Sequence, residues 1–538
     1  MAASASADPT WTGNGDGTSW GDAHNWDTMQ VPKNGDSVTI GPTSSQFTPH
    51  VTGMPGGTQL QGLALSNASL SGGNVTVAGS FSWDVSGGNV ATLAAPLTAQ
   101  STASISGMGQ ENVKNPMTFL GATTITGPGV VQVQDSGVAI TNAGVMTLAP
   151  GATVEANGCC TSPDVLVNTG TISAPGPGTA TVGFLDFNDQ GSVQVAPGGV
   201  LDVIGGPGEF SAGSSLSGGG TLRFEQSAAI TLASPVSVGP GSTMALTGNA
   251  KFSGPGGFTG GGKFSWTGGT ISGNLDVASG IATTISGTTF KSLTSPATTP
   301  TGLTLHGTTT LKGPAEVQLN GTTTLNNLGT LTMGPGTTIS AGNCCVSPDH
   351  VTNGGTLTVA AGTGVASTTN LAFSNSGTVN VDSGTLSIGT LSYSQTAGAT
   401  KLAGGSLAAA KQINIGGGTL SGFGTITGSV QNGGTVSPST TGGVLKITGA
   451  YRQTSSGVLS SVIIGASPGT QFGQLSVGGQ ATLSGTLQVN TGGGFTPAHG
   501  QAFSVLVCHS RSGTFATLSG HPTYTVAYSA TAARAVYP

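Results

Sequence analysis

A short motif, Gly-Thr/Ser-apolar-x-apolar, returns along this chain at Gly191-Ser-Val193-Gln-Val195, Gly329-Thr-Leu331-Thr-Met333, Gly355-Thr-Leu357-Thr-Val359 and Gly377-Thr-Val379-Asn-Val381. Each copy puts two apolar side chains on one face of a short strand and polar ones on the other. An Asn stands two residues ahead of many of the corner glycines, at Asn142, Asn168, Asn327, Asn353 and Asn375. Gly and Asn both tolerate positive φ, so the pair is read as a sharp corner between strands. The intervals constrain the fold most. They run 26 residues from Gly144 to Gly170 and 21 from Gly170 to Gly191, then 26 from Gly329 to Gly355 and 22 from Gly355 to Gly377. A recurrence of that length in short β segments predicts a solenoid, whose coils bury their apolar faces only by stacking on one another. The expected fold is all-β, a right-handed parallel β-helix.

A longer repeat contains the shorter one. Cys159-Cys160-Thr-Ser-Pro163-Asp164 matches Cys344-Cys345-Val-Ser-Pro348-Asp349 at an offset of 185 (344 minus 159), and Phe81-Ser-Trp83 matches Phe264-Ser-Trp266 at 183 (264 minus 81). A block of about eight coils is therefore read as duplicated. The expected organisation is a Trp-rich N-terminal cap over 1–50, β-helix copies over 51–256 and 257–441, and a C-terminal β cap over 442–538. About eighteen coils at about 4.8 Å each would make a stack on the order of 90 Å long.

Composition fits this reading and excludes others. Only 6% of the 538 residues are charged and 94 are Gly, too few polar side chains to clothe amphipathic helices. Thirteen Lys and Arg, thinly spread within a net charge of -6, form no basic stripe, so nucleic acid is not an expected partner. No apolar run reaches the length of a spanning helix. The small-residue start, Met1-Ala-Ala-Ser-Ala-Ser-Ala, is read as a mature form lacking its signal peptide, which places the protein outside the cell or on its surface.

The opening Trp11-x-Gly…Trp20…Asn25-Trp26…Val31-Pro32…Gly35-Asp36-x-Val-x-Ile40 is similar to the start of many bacterial secreted adhesin-like proteins. The stretch Gly424-Thr-Ile426…Gly434-Thr-Val436-Ser-Pro438…Leu445-Lys-Ile447…Gly485-Thr-Leu487…Gly513-Thr-Phe515 resembles the end of autotransporter-type passenger β-helices. The resemblance covers the two ends, with the middle matching only in style. It implies a surface or extracellular β-helix with adhesive or structural roles, although no membrane barrel follows in this sequence. Surface glycans or further copies of the chain are the partners it suggests.

Candidate chemistry is sparse. The Cys159-Cys160 and Cys344-Cys345 pairs sit about eight coils apart, on the order of 35–40 Å by stacking distance, so they cannot bridge one another. Each pair could close as a vicinal disulfide, link separate molecules, or stay reduced or bind metal. Asp164 and Asp349 beside them could accept from a ligand or simply make a turn. Trp83 and Trp266 are sugar-stacking candidates if exposed on one face, and core if not. Cys508-His509 lacks any supporting catalytic motif, and Asn14, Asp16 and Asp22 read better as turn residues than as a calcium site. Asp186 and Asp189, Asp202 and Glu209, and Arg223-Phe-Glu225 are the acidic and charged groups closest in sequence. No catalytic residue, metal or cofactor is assigned. The leading expectation is a structural or adhesive rod or fibre subunit, and the alternative is a carbohydrate-binding protein or polysaccharide depolymerase of the β-helix kind.

Overall fold

The computed structural model describes residues 8–157, 163–295, 301–342, 349–389 and 391–538. It forms an all-β parallel solenoid that divides into two compact units, Met1–Ser265 and Trp266–Pro538. The only helical turn among the described residues is the three-residue segment Ala23–Asn25.

Three short strands make a typical coil. In the first unit Ala139–Asn142, Val145–Leu148 and Thr153–Ala156 lie in register on Met117–Phe119, Ala122–Ile125 and Val130–Val133 of the preceding coil. Alternation decides which side chains go inside. Met146, Ile172 and Val193 share one buried row, while Val145, Thr171 and Ser192 share the outward row beside it. The second unit repeats the scheme, with Leu331, Leu357 and Val379 inside and Thr330, Thr356 and Thr378 outside. Parallel strands buried on a narrow interior favour β-branched and Leu side chains, and this pattern supplies them. The first unit also carries an interior run of edge-to-face rings, Phe187, Phe210, Phe224 and Phe252, with centroids 5.2–5.8 Å apart.

The corners depart from the sequence expectation. Gly144, Gly170 and Gly191, and likewise Gly329, Gly355 and Gly377, are not in the left-handed region. They are required by close approach. A Cβ on any of the six would fall 2.1–2.2 Å from the carbonyl oxygen of the glycine one coil earlier. The asparagines two residues ahead are not left-handed either. They point inward and bond to one another. Asn142 Nδ2 donates to Asn168 Oδ1 at 2.8 Å, and Asn168 Nδ2 to Asp189 Oδ1 at 2.6 Å. In the second unit Asn327 donates to Asn353 at 2.7 Å, Asn353 to Asn375 at 2.8 Å, and Asn375 to Gln395 at 3.3 Å. Each amide makes a second bond to a corner carbonyl, such as Thr171 O, Thr356 O or Thr378 O, so the ladder satisfies main-chain acceptors that the strands leave over.

Both ends depart from the three-strand coil. In the N-terminal segment Trp26 meets Trp11 and Trp20 edge to face, each at 5.1 Å, and Asp16 accepts from Thr18 N, Ser19 N, Ser19 Oγ and Asn25 Nδ2. Those bonds hold its carboxyl far below the usual carboxylate range, with the Ser19 hydroxyl the largest contributor. At the C-terminus Ala532–Val536 runs antiparallel to both Ala502–Gly513 and Thr525–Tyr528.

One inward position is acidic. Glu111 stands in the buried row between Ala91 and Val131, and its Oε1 has no hydrogen-bond partner. Burial, followed by the nearby Asp84 charge, lifts its carboxyl from 4.5 to about 8. The folded state thus holds a proton that the unfolded chain releases near pH 4.5. Stability from this group is complete below that value, declines as pH rises towards about 8, and is level above it. Glu111→Gln removes the titration. Melting temperatures of variant and parent should run close together near pH 4.5 and separate in favour of the variant up to about pH 8. Parallel curves across that range would contradict the assignment.

Candidate functional site

The charged side chains of a solenoid this poor in charge are the natural place to look for chemistry, and the structure has several of the acidic ones holding one coil on the next. Asp164 and Asp349 are the clearest case. Each closes a Cys-Cys-x-Ser-Pro-Asp motif in the sequence and is buried. Asp164 Oδ1 accepts from Val138 N at 2.9 Å, and Asp349 Oδ1 accepts from Thr323 N at 2.7 Å and Thr323 Oγ1 at 3.1 Å. Val138 and Thr323 stand one coil earlier and are separated by the same 185 positions as the aspartates (323 minus 138). The same carboxylate-to-backbone bond is therefore made in both copies. Burial pushes the Asp164 carboxyl upward against the pull of the Val138 and Gly137 amides. Cys159, Cys160, Cys344 and Cys345 lie outside the described residues.

Trp83 and Trp266 are each fully buried, with the indole N–H of both lacking a hydrogen-bond partner. Trp83 shares its row with Leu65 and Ile105, inside the coil. Neither ring offers a face to a saccharide in this arrangement.

The acids paired by sequence proximity separate once the strand alternation acts on them. In Asp186–Asp189 the first side chain faces outward and the last lies in the core, at the end of the asparagine ladder. Burial raises the Asp189 carboxyl, and its Oδ2 has no partner. Asp202 takes both the Nε and the Nη2 of Arg223 from the next coil, a bidentate pair, while Glu225 approaches Arg223 Nε at 3.6 Å. Glu209 accepts from Ser211 Oγ at 2.7 Å. It also raises the neighbouring Asp186 carboxyl, secondary to that residue's own burial. These contacts between coils were not legible from local spacing, because residues adjacent in space lie 21–23 positions apart.

Cys508 and His509 occupy opposite faces of Ala502–Gly513. The thiol is buried, unpaired and pushed upward by that burial, and the imidazole is exposed. Alternation therefore separates a nucleophile from its would-be base. Among the described residues no group of three or more His, Cys, Asp or Glu is placed to hold a metal ion, and no helix is long and apolar enough to cross a membrane. No protein-family model matches the chain, and no curated protein matches it either.

Proposed function

We propose that the chain is a structural and adhesive β-solenoid, secreted or held at the cell surface, that acts by stiffness and display and not by catalysis. The observation that supports this most is the duplicated aspartate: Asp164 and Asp349, the acids nearest the conspicuous cysteine motif, both pin backbone of the preceding coil. The Asp202–Arg223 pair ties neighbouring coils in the same way. The side chains left facing outward are largely Thr and Ser on regular ladders, a surface suited to many weak polar contacts.

A second reading, a polysaccharide depolymerase, draws on one arrangement. Asp186 and Glu209 belong to neighbouring strands of successive coils, and the Glu209 charge adds to the burial that raises the Asp186 carboxyl. Glycoside hydrolysis uses two carboxyl groups about 5–9.5 Å apart. One experiment separates the readings. Purified protein is incubated with a panel of plant, fungal and bacterial polysaccharides, new reducing ends or unsaturated ends are measured, and intact producing cells and their medium are labelled with antibody. The expected result is label on the surface or in the medium with no new chain ends. Confinement of the protein inside the cell, or chain cleavage that Asp186→Asn abolishes, would overturn the proposal.

A further inference from the structure

The C-terminal part of the second unit contains a concavity of about 310 Å³ lined by Thr491, Gly492, Gly494, Phe495, Thr496, Pro497, His521, Pro522 and Tyr537. We propose that it binds a neutral saccharide, one or two sugar residues at the end of a glycan. This deepens the adhesive reading above and rests on it only for the biological setting.

The chemistry of the lining selects the ligand. No Asp, Glu, Lys or Arg lines the concavity, so no permanently charged side chain there compensates a charged ligand. What it holds is two aromatic rings, two prolines, an imidazole, two threonines and the peptide groups of two glycines. A neutral sugar presents the complement, an apolar C–H face bordered by hydroxyls that both donate and accept. Phe495 and Tyr537 are half-buried and His521 is exposed, so ring surface and hydrogen-bonding groups reach solvent together. The volume lies at the small end of ligand sites, which favours a short saccharide over an extended peptide.

The walls are fixed before any ligand arrives. Phe495 packs edge to face on Phe503 at 6.2 Å, Phe503 on Tyr524 at 6.3 Å, and Tyr524 on Tyr537 at 5.8 Å, so both lining rings hang from one aromatic chain. Tyr524, itself buried, exchanges a hydrogen bond with Thr491 Oγ1 at 2.7 Å. Thr491 N donates to His521 O at 3.0 Å and His521 N to Asn490 Oδ1 at 3.0 Å, which ties the two lining segments together. Gly494, part of the lining, has φ +70°, a left-handed backbone that favours glycine. Beyond Thr491, the last residue of its strand, the lining lies on loops, and these contacts reduce the cost of ordering those loops on binding.

The test uses the full chain and saturation-transfer difference NMR with cellobiose, maltose, lactose and chitobiose. Digalacturonate is the anionic comparison, and a proline-rich peptide tests the competing occupant. At least one neutral disaccharide should take up saturation and the digalacturonate should not. Thr496→Trp, which fills the mouth from an exposed position, should abolish the signal. His521→Ala should weaken binding by about tenfold, the loss of one well-placed contact. Both variants should melt with the parent. The proposal is overturned if no neutral disaccharide binds, if binding survives Thr496→Trp unchanged, or if the peptide alone binds. Failure here leaves the surface location and the absence of polysaccharide cleavage standing, so it is distinguishable from failure of the structural reading.

Discussion

Replacing Gly355 by alanine should be among the most damaging single changes available in the second unit, although it adds only a methyl group. The new Cβ would fall 2.1 Å from Gly329 O and 2.7 Å from Leu328 C, both backbone atoms of the coil beneath. No rotamer relieves the clash, because neither partner is a side chain. The two coils must separate at that corner, and the strands on either side, Thr330–Met333 and Thr356–Val359, lose their close register. Overpacking that moves backbone costs about 3 kcal/mol or more. For a unit of this size that corresponds to a drop in melting temperature of roughly 6–12 °C. Gly416→Ala supplies the comparison. Gly416 is not left-handed, and its nearest neighbour, Gln395 O, would lie 3.4 Å from the new Cβ, so its melting temperature should stay within about 2 °C of the parent. Hydrogen exchange adds a spatial readout. Because solenoid stability is a sum over neighbouring coils, protection should fall first in the strands beside position 355. Equal melting temperatures for the two variants would refute stacking as the reason for glycine.

That argument marks where the sequence could and could not be read. The interval between corner glycines, together with the alternation that follows them, was enough to establish parallel coils with Leu357 inside and Thr358 outside. The reason for the glycine was not. A Gly beside an Asn suggests left-handed backbone, and here both residues keep ordinary φ. The requirement comes from an atom one coil away, 26 positions earlier for Gly355, and local propensity does not register such a neighbour. The same distance hid the partners of the charged groups. Sequence proximity joins Arg223 to Glu225, whereas its shorter, bidentate partner is Asp202 on the coil below. The Asp of each Cys-Cys-x-Ser-Pro-Asp motif was legible as a turn residue or a ligand, but its acceptor role towards Val138 N or Thr323 N needed the stacking register. Phe495 falls within the C-terminal stretch that resembles passenger β-helices, but nothing in that resemblance joins it to His521 and Tyr537. The three lie 16–42 positions apart in a segment that has lost the coil interval, so no period brings them together on paper.

The asparagine ladder carries the second large effect, and position 353 tests it best because it lies mid-ladder. Asn353, itself buried, accepts from Asn327 at 2.7 Å and donates to Asn375 Oδ1 at 2.8 Å, to Thr378 O at 2.9 Å and, more loosely, to Gly355 O at 3.4 Å. Asn353→Ala removes one acceptor and three donated bonds, the third a long one to Gly355 O, and leaves Asn375 Oδ1 without that donor inside the core. A buried polar group left unpaired costs about 1–3 kcal/mol, and the vacated volume adds to it, so a loss of about 3 kcal/mol is expected. Asn353→Asp separates hydrogen bonding from shape. The aspartate can still accept from Asn327, but when ionised it sets oxygen against Asn375 Oδ1 and buries a charge. Its carboxyl should then be raised, as burial raises Asp189 at the end of the first unit's ladder. A raised folded value means that the variant is most stable below the ordinary aspartate range and weakens as pH climbs through it. Asn353→Asp should accordingly approach the parent's melting temperature in acid and fall away towards neutrality, while the deficit of Asn353→Ala stays constant with pH. The contrast with Asp189 is what makes the ladder directional. Asp189 follows two asparagines, accepts from Asn168, and meets Phe210 on the next coil, so it has no neighbour that requires a donor. At 353 the next rung is another amide, and an acid there breaks the chain of donors at its centre. If Asn353→Asp melts with the parent at neutral pH, the asparagines are fillers of a corner and not the bonds that hold successive coils together.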